Sequence, residues 1–287
     1  MTYRREPVHY TKDEKDIIKN KISAIIPTIQ ANTDLLTNLI LSLDKDSCVF
    51  EIIVINNSTE PLPEIHSSKI KILDFGENLY VNKSWNIGVE ESRAEFYALF
   101  NDDLILPENF CSKILPLLSK DNGLYGFNKE FVQEIDHPEP YNETFELYIE
   151  PADRRRLGYG IIMMGHRENY TPIPDNLKIF CGDDYLFFMN EKNGKTNYKI
   201  SGCPIKHCHQ LSSNKPEFFK IKQQDCFNYK KINKKYKIPK PYLPNHTKFI
   251  RKLFQMYNVY EGEQKYKCIN ILGFTITLKK NRGNHAI

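Results

Sequence analysis

Four short apolar runs divide the first hundred residues: Ser23–Thr28 (SAIIPT), Phe50–Ile55 (FEIIVI), Lys69–Asp74 (KIKILD) and Phe96–Phe100 (FYALF). Most are rich in β-branched or aromatic residues and apolar at successive positions, the pattern of strands buried on both faces. Helical spacing fills two of the gaps between them. Asn32 or Thr33 can cap a helix whose Leu35, Leu36, Leu39, Ile40 and Leu43 share one side, and Val81, Trp85, Val89 and Ser92 recur at the same interval. Strands and helices alternating this closely predict a mostly parallel sheet with helices on both faces. Such sheets bind ligands at the carboxyl ends of their strands. Those ends carry Pro27-Thr28, Asn56-Asn57-Ser58 and Asn101-Asp102-Asp103, so the polar residues best suited to chemistry converge on one edge.

Beyond this core, Pro107 suits the first turn of a helix carrying Phe110, Ile114 and Leu117, with Pro116 kinking or ending it. Residues 128–160 read as loop, Ile161–Met164 as a strand, and Gly182-Asp183-Asp184 as the start of a helix. Ile200–His209 reads as extended, Glu217–Tyr236 as a helix with a lysine-rich side, and Tyr266–Leu278 as a small hairpin turning near Leu272-Gly273. The expected organisation is a sheet domain over 1–214, followed over 215–287 by a basic helical extension and terminal hairpin.

Charge separates the same two parts. The net charge is +4, yet Lys215–Lys252 holds twelve Lys or Arg against Glu217 and Asp225, leaving +10 there and −6 elsewhere. A basic stretch interleaved with aromatics suits an anionic membrane surface, a diphosphate-bearing acceptor or nucleic acid, while a solvated helix face is the plainer reading. With 40% hydrophobic and 26% charged residues, the composition excludes a disordered or fibrous chain. No apolar run approaches the roughly 18 residues of a membrane span. The charged opening MTYRREPVHYTKDEKD and seven scattered cysteines predict reduced thiols and a cytoplasmic setting.

Adjacent carboxylates after a hydrophobic strand are costly unless a cation or hydrogen bonds compensate. Asn101-Asp102-Asp103 therefore suits Mg²⁺ or Mn²⁺, which take oxygen ligands from one or two carboxylates and substrate phosphates. Its alternative is a cap on the following turn. Asp183 and Asp184 could act as a general base or simply favour a helix N-terminus. In an extended segment His207 and His209 would share a face. Cys181, Cys203, His207, Cys208 and His209 raise a zinc site, but no C-x₂-C spacing supports it.

Taken in order, these features resemble the GT-A glycosyltransferases, especially the inverting glycosyltransferase family 2. Residues 25–28 (IIPT) resemble that family's first-strand motif, and 54–59 (VINNST) its V-D-N-G-S motif. Residues 77–92 (ENLYVNKSWNIGVEES) resemble its N-x-G-x-x-x-x-x-N-x-G segment, and NDD stands at its DXD. The likeness covers roughly 20–130 well and continues loosely through GDD (182–184) and HCHQLSS (207–213). Asn56, Tyr80 and Asn101 depart from it, standing where the family usually has Asp, Gly and Asp.

The resemblance implies a metal-dependent inverting transfer of sugar from a nucleotide-diphosphate donor, UDP-linked by preference, to a hydroxyl of a glycan or lipid-linked acceptor. Bacterial-type surface polysaccharide synthesis is the implied setting. By position, Pro27, Thr28, Asn56 and Ser58 would hold the nucleoside, with Lys83 and Asn86 near the donor. Asp102 would meet the nucleotide sugar or a metal-bound water, and Asp103 would hold Mn²⁺ or Mg²⁺. His209, with His207 as the alternate, would lie near the metal, and Asp183 or Asp184 would be the base. The extension over 215–252 would lean on the inner face of the plasma membrane; nucleic acid is the less expected partner. A sugar-nucleotidyltransferase would usually carry a glycine-rich phosphate loop, and residues 22–34 contain no glycine. A GT-A-like glycan- or nucleic-acid-binding protein without turnover is the other alternative.

Overall fold

The computed structural model describes residues 16–135, 141, 145–152, 159–208 and 216–236, with three strands between 254 and 279. The expected opening strands appear as β1 (Ile18–Thr28), β2 (Val49–Asn56), β3 (Ile70–Asp74) and β4 (Ala94–Phe100). Between them lie α1 (Thr33–Lys45) and α2 (Tyr80–Glu91). Asn32 caps α1 by accepting from the amides of Asp34 and Leu35, satisfying two otherwise orphaned donors. β5 (Leu104–Ile105), α3 (Phe110–Ile114), β6 (Tyr125–Phe127), β7 (Val132–Ile135), β8 (Tyr148–Pro151) and β9 (Ile162–His166) follow. Next come α4 (Gly182–Lys192), β10 (Tyr198–Ser201), β11 (Ile205–Cys208) and α5 (Pro216–Tyr236).

Eight strands form the main sheet in the order β3-β2-β1-β4-β9-β6-β10-β8. Neighbours among the first four are parallel. β9 runs antiparallel to both β4 and β6, β10 is parallel to β6, and β8 closes the edge antiparallel to β10. A second sheet sets β11 between β5 and β7. Alternate residues feed separate cores, as a two-residue strand period demands. Ile22, Ala24, Ile26, Phe96, Ala98 and Phe100 pack with Leu36, Leu39, Leu43 and Phe110, on the face covered by α1 and α3. On the other side Ile25, Tyr97 and Leu99 meet Trp85 and Val89 of α2 and Leu186 of α4. Each fully buried Ile or Leu contributes about 1.5–3 kcal/mol to holding these layers together.

Several boundaries differ from expectation. β1 starts at Ile18, because the alternating IKNKI stretch keeps pairing with β4 at Ile18 and Ala94. The helix expected from Pro107 begins only at Phe110, after Asn109 takes a left-handed turn. Short β7 and β8, none of whose residues is fully buried, lie within the expected loop; ladder pairing stabilises them more than burial does. Ile200–His209 is broken at Gly202, whose φ of 87° and close approach to Glu146 O leave no room for a Cβ. The tail is an antiparallel meander of Phe254–Glu261, Gln264–Ile271 and Phe274–Lys279. Its last two strands are the expected hairpin. The first escapes a sequence reading because FQMYNVYE mixes apolar and polar residues without steady alternation.

α5 packs against the sheet domain. Phe218 and Ile232 are buried, and Asp225 is 1% exposed. The Asp225 carboxylate accepts hydrogen bonds from the amides of Lys178 (3.0 Å), Ile179 (2.9 Å) and Phe180 (2.9 Å). Asp225→Ala should therefore destabilise the fold by about 3 kcal/mol in denaturant unfolding, since buried amides lose their acceptor. A loss below about 1 kcal/mol would show that α5 is not held by this carboxylate.

Candidate functional site

A cavity of about 480 Å³ opens at the carboxyl edge of the parallel strands. Pro27 and Thr28 at the end of β1, Asp102 and Asp103 after β4, and Asp183 and Asp184 opening α4 all line it. Parallel pairing of β1 with β4 brings the first two groups together, and Thr28 Oγ1 donates to Asp102 Oδ2 at 2.6 Å. Burial pushes the Asp102 carboxyl up to about 6; the Asp103 charge adds to this, while the Thr28 hydrogen bond opposes it.

Asp103 is held from the other side by β11. The amide of Cys208 donates to Asp103 O at 2.9 Å, and His207 pairs with Leu104. His207 Nε2 lies 3.3 Å from Asp103 Oδ1, and its Nδ1 is 2.9 Å from Glu134 Oε2 on β7. Burial alone would lower the His207 pKa, but the two flanking carboxylates outweigh it and raise it. Asp103 Oδ1 is itself buried without an aligned hydrogen-bond donor. An oxygen of this kind, beside a second carboxylate that resists ionisation, fits a hard divalent cation that also takes ligands from a bound phosphate. Among the described residues, no three His, Cys, Asp or Glu side chains gather to hold a metal ion of any kind, so Asp103 and its neighbours would hold a cation only together with a bound phosphate.

The acidic pair on α4 is positioned by its neighbours in space. Asn82 of α2 donates through Nδ2 to Leu177 O (3.1 Å) and Phe180 O (3.4 Å), and Asp225 grips the same loop from α5. Cys181 turns through a left-handed φ of 64°. Gly182 then passes so close to Asn82 that any Cβ would collide with the amide. Asp184 N donates to Asp183 Oδ1 at 2.9 Å, and the helix N-terminus favours both negative charges.

Other expected site residues have different surroundings. Asn56, 1% exposed, donates to Glu60 O and Asp74 Oδ2 and accepts from Gln30 and the Ser58 amide. It braces the rim, and Ser58 Oγ is engaged by the Glu60 amide. Asn86 is used by the 170–173 loop: it donates to Ile173 O and accepts from Tyr170 Oη and Ile173 N. Lys83 is exposed on α2. None of these four lines the cavity. His209 lies outside the described residues.

Sequence reasoning placed Asn57 only at a strand end and missed Trp85, Phe218, Lys222 and Cys226 as lining residues. For α5 the available signal was Asp225, one of two acids in a lysine-rich helix and the one set toward its apolar side. Tyr80 also lines the cavity and holds a φ of 63°, which explains why glycine suits its position. Lys178 Nζ stands 4.8 Å from the Tyr80 ring centroid.

A parallel β3-β2-β1-β4 half-sheet, with acidic turns meeting over its carboxyl edge, defines a GT-A domain. The family described as Glycosyl transferase family 2 matches residues 23–184, more than half the chain, and the protein belongs to that family. No curated protein matches the sequence significantly. Among solved structures the chain is similar to Staphylococcus aureus TarS 1-349 in complex with UDP-GlcNAc. That match has 14% identity and a TM-score of 0.50, covering 72% of this chain and 66% of the other. A second TarS 1-349 structure gives 15% identity and a TM-score of 0.46, covering 66% and 60%. The chain thus spans less than two thirds of the TarS chains it matches. At these identities the likeness concerns the fold.

Strain at Tyr80 makes a stability prediction. Because a Cβ in the left-handed region costs about 1–2 kcal/mol, Tyr80→Gly should be more stable than Tyr80→Ala by about 1 kcal/mol after glycine's larger unfolded-state entropy. Thermal or urea unfolding of the two variants measures this, and the reverse order would remove the strain.

Proposed function

We propose that this protein is a metal-dependent inverting glycosyltransferase that moves a sugar from a nucleotide-diphosphate donor to a hydroxyl of a glycan or lipid-linked acceptor. One observation carries the reading: two acidic pairs from separate elements, Asp102-Asp103 and Asp183-Asp184, line one cavity with Thr28. Family membership supports a nucleotide-sugar donor. The similar TarS structure was solved with UDP-GlcNAc, which makes a UDP-sugar the first donor to test.

In this reading Thr28 orients Asp102 toward the donor, and Asp103 with His207 forms the anchoring side of the diphosphate site. Bound Mn²⁺ or Mg²⁺ would supply Lewis-acid charge at the departing diphosphate. Asp183 or Asp184 accepts the proton of the acceptor hydroxyl as its oxygen attacks the anomeric carbon from the face opposite the leaving group. One displacement inverts that centre. His207, held between Glu134 and Asp103, keeps the Asp103 carboxylate oriented.

Among the described residues no helix is long and apolar enough to cross a membrane. Phe219 and Phe227 are exposed on α5, where Lys231 lies over the Phe227 ring. Aromatics among lysines suit peripheral contact with an anionic inner-membrane surface, where lipid-linked acceptors for surface polysaccharide would be met from the cytoplasm.

Asp103→Ala should reduce Mn²⁺-dependent UDP binding at least about tenfold by calorimetry, because a direct charged ligand is lost. Unchanged affinity would remove Asp103 from the donor site. Asp183→Asn preserves the oxygen that accepts from the Asp184 amide. It should leave UDP affinity intact while lowering transfer by about 10²–10⁴-fold, the usual range for a lost general base. Full turnover would transfer that role to Asp184.

A further inference from the structure

We infer that α5 builds the acceptor side of the cavity, and that Lys222 selects an acceptor carrying an anionic group, a sugar phosphate or a uronate. The inference rests on the glycosyltransferase reading and adds a substrate class to it. Phe218, Lys222 and Cys226 are spaced four apart, so one face of α5 presents all three to the cavity. This wall stands beside the candidate base. Cys226 lies against Cys181, whose thiol is pushed up by burial, then by Asp184 and Cys226 itself. Cys181 immediately precedes the turn bearing Asp183 and Asp184, whereas Thr28 and Asp102 come from the strand ends. In this inference α5 is the wall that an acceptor hydroxyl meets on its way to the base.

Charge then narrows what can pass. Among the described residues lining the cavity, Lys222 is the only Lys or Arg, while Asp102, Asp103, Asp183 and Asp184 supply four carboxylates. Among the described residues Lys222 has no carboxylate partner; its Nζ instead rests 5.2 Å from the Phe180 ring centroid. The Asp225 clamp on the 178–180 amides holds helix and loop together, which keeps the Phe180 backbone beside the segment of α5 that carries the exposed Lys222. An ammonium beside an aromatic face matches a sugar that rests its apolar side on Phe180 and offers a negative substituent to the cation. It would also offset the repulsion that carboxylates impose on such a substrate.

The test uses the full chain and follows hydrolysis of a UDP-sugar with Mn²⁺. Glucose, glucose 6-phosphate and glucuronate serve as acceptor-site probes. In the wild type the two anionic sugars should inhibit hydrolysis at least about tenfold more strongly than glucose, without competing against the donor. Lys222→Ala should erase that preference, Lys222→Arg should restore most of it, and UDP affinity should stay within about twofold in both. Equal inhibition by charged and neutral sugars in the wild type would overturn the inference, as would a preference that survives Lys222→Ala. Loss of UDP affinity in Lys222→Ala would also overturn it, by assigning the lysine to the donor diphosphate. A wild type that binds no nucleotide would fail earlier, removing the glycosyltransferase reading and this inference together.

Discussion

Asp102 and Asp103 stand side by side at the buried end of β4, where burial and the Asp103 charge make Asp102 harder to ionise, and the elements around them are arranged to compensate. Thr28 donates to one carboxylate from the end of β1, and His207 approaches the other from β11. Glu134 holds the far side of that imidazole. The compensation is incomplete: burial still pushes Asp102 up to about 6, and Asp103 Oδ1 stays without an aligned donor. In the proposed function, a cation bound together with the donor phosphates would supply further positive charge here. The two sheets meet here, because the main sheet supplies the carboxylates and the smaller one supplies His207 and Glu134.

Another carboxylate, Asp225, positions the site without lining the cavity. Three amides of the 178–180 loop converge on it, which joins the basic helix to the segment that aims Asp183 and Asp184. Asn82 holds that segment from the opposite side. The acidic turn is thus set between α2 and α5, two elements distant in sequence. Moving either one would displace the proposed base relative to Asp103, so precision in this site depends on packing as well as on the acidic residues themselves.

Much of the architecture was legible because it rests on local periodicity. The apolar runs at 23–28, 50–55 and 96–100, and the leucine spacing of α1, carry their own instructions for strand and helix. Their polar ends by themselves point to one edge of the sheet. Asn56, Lys83 and Asn86 show where such reading stops. Each lies in a segment resembling a donor-binding motif, but a motif does not say what an amide already bonds. Asn86 serves the 170–173 loop and Asn56 braces the rim, and both partnerships span segments remote in sequence.

The sequence alone determined the alternation of strands and helices, the parallel sense of the first sheet half and the clustering of acids at strand ends, since hydrophobic period and turn chemistry act over a few residues. Tertiary structure decided which acids share a cavity and which histidine among the described residues reaches Asp103. It also showed that a lysine from the basic helix lines the same space. Those outcomes depend on pairing between β5 and β11 and on the docking of α5 through Asp225. Such contacts join residues far apart along the chain, and their geometry is set by the packing of whole elements, which no local pattern encodes.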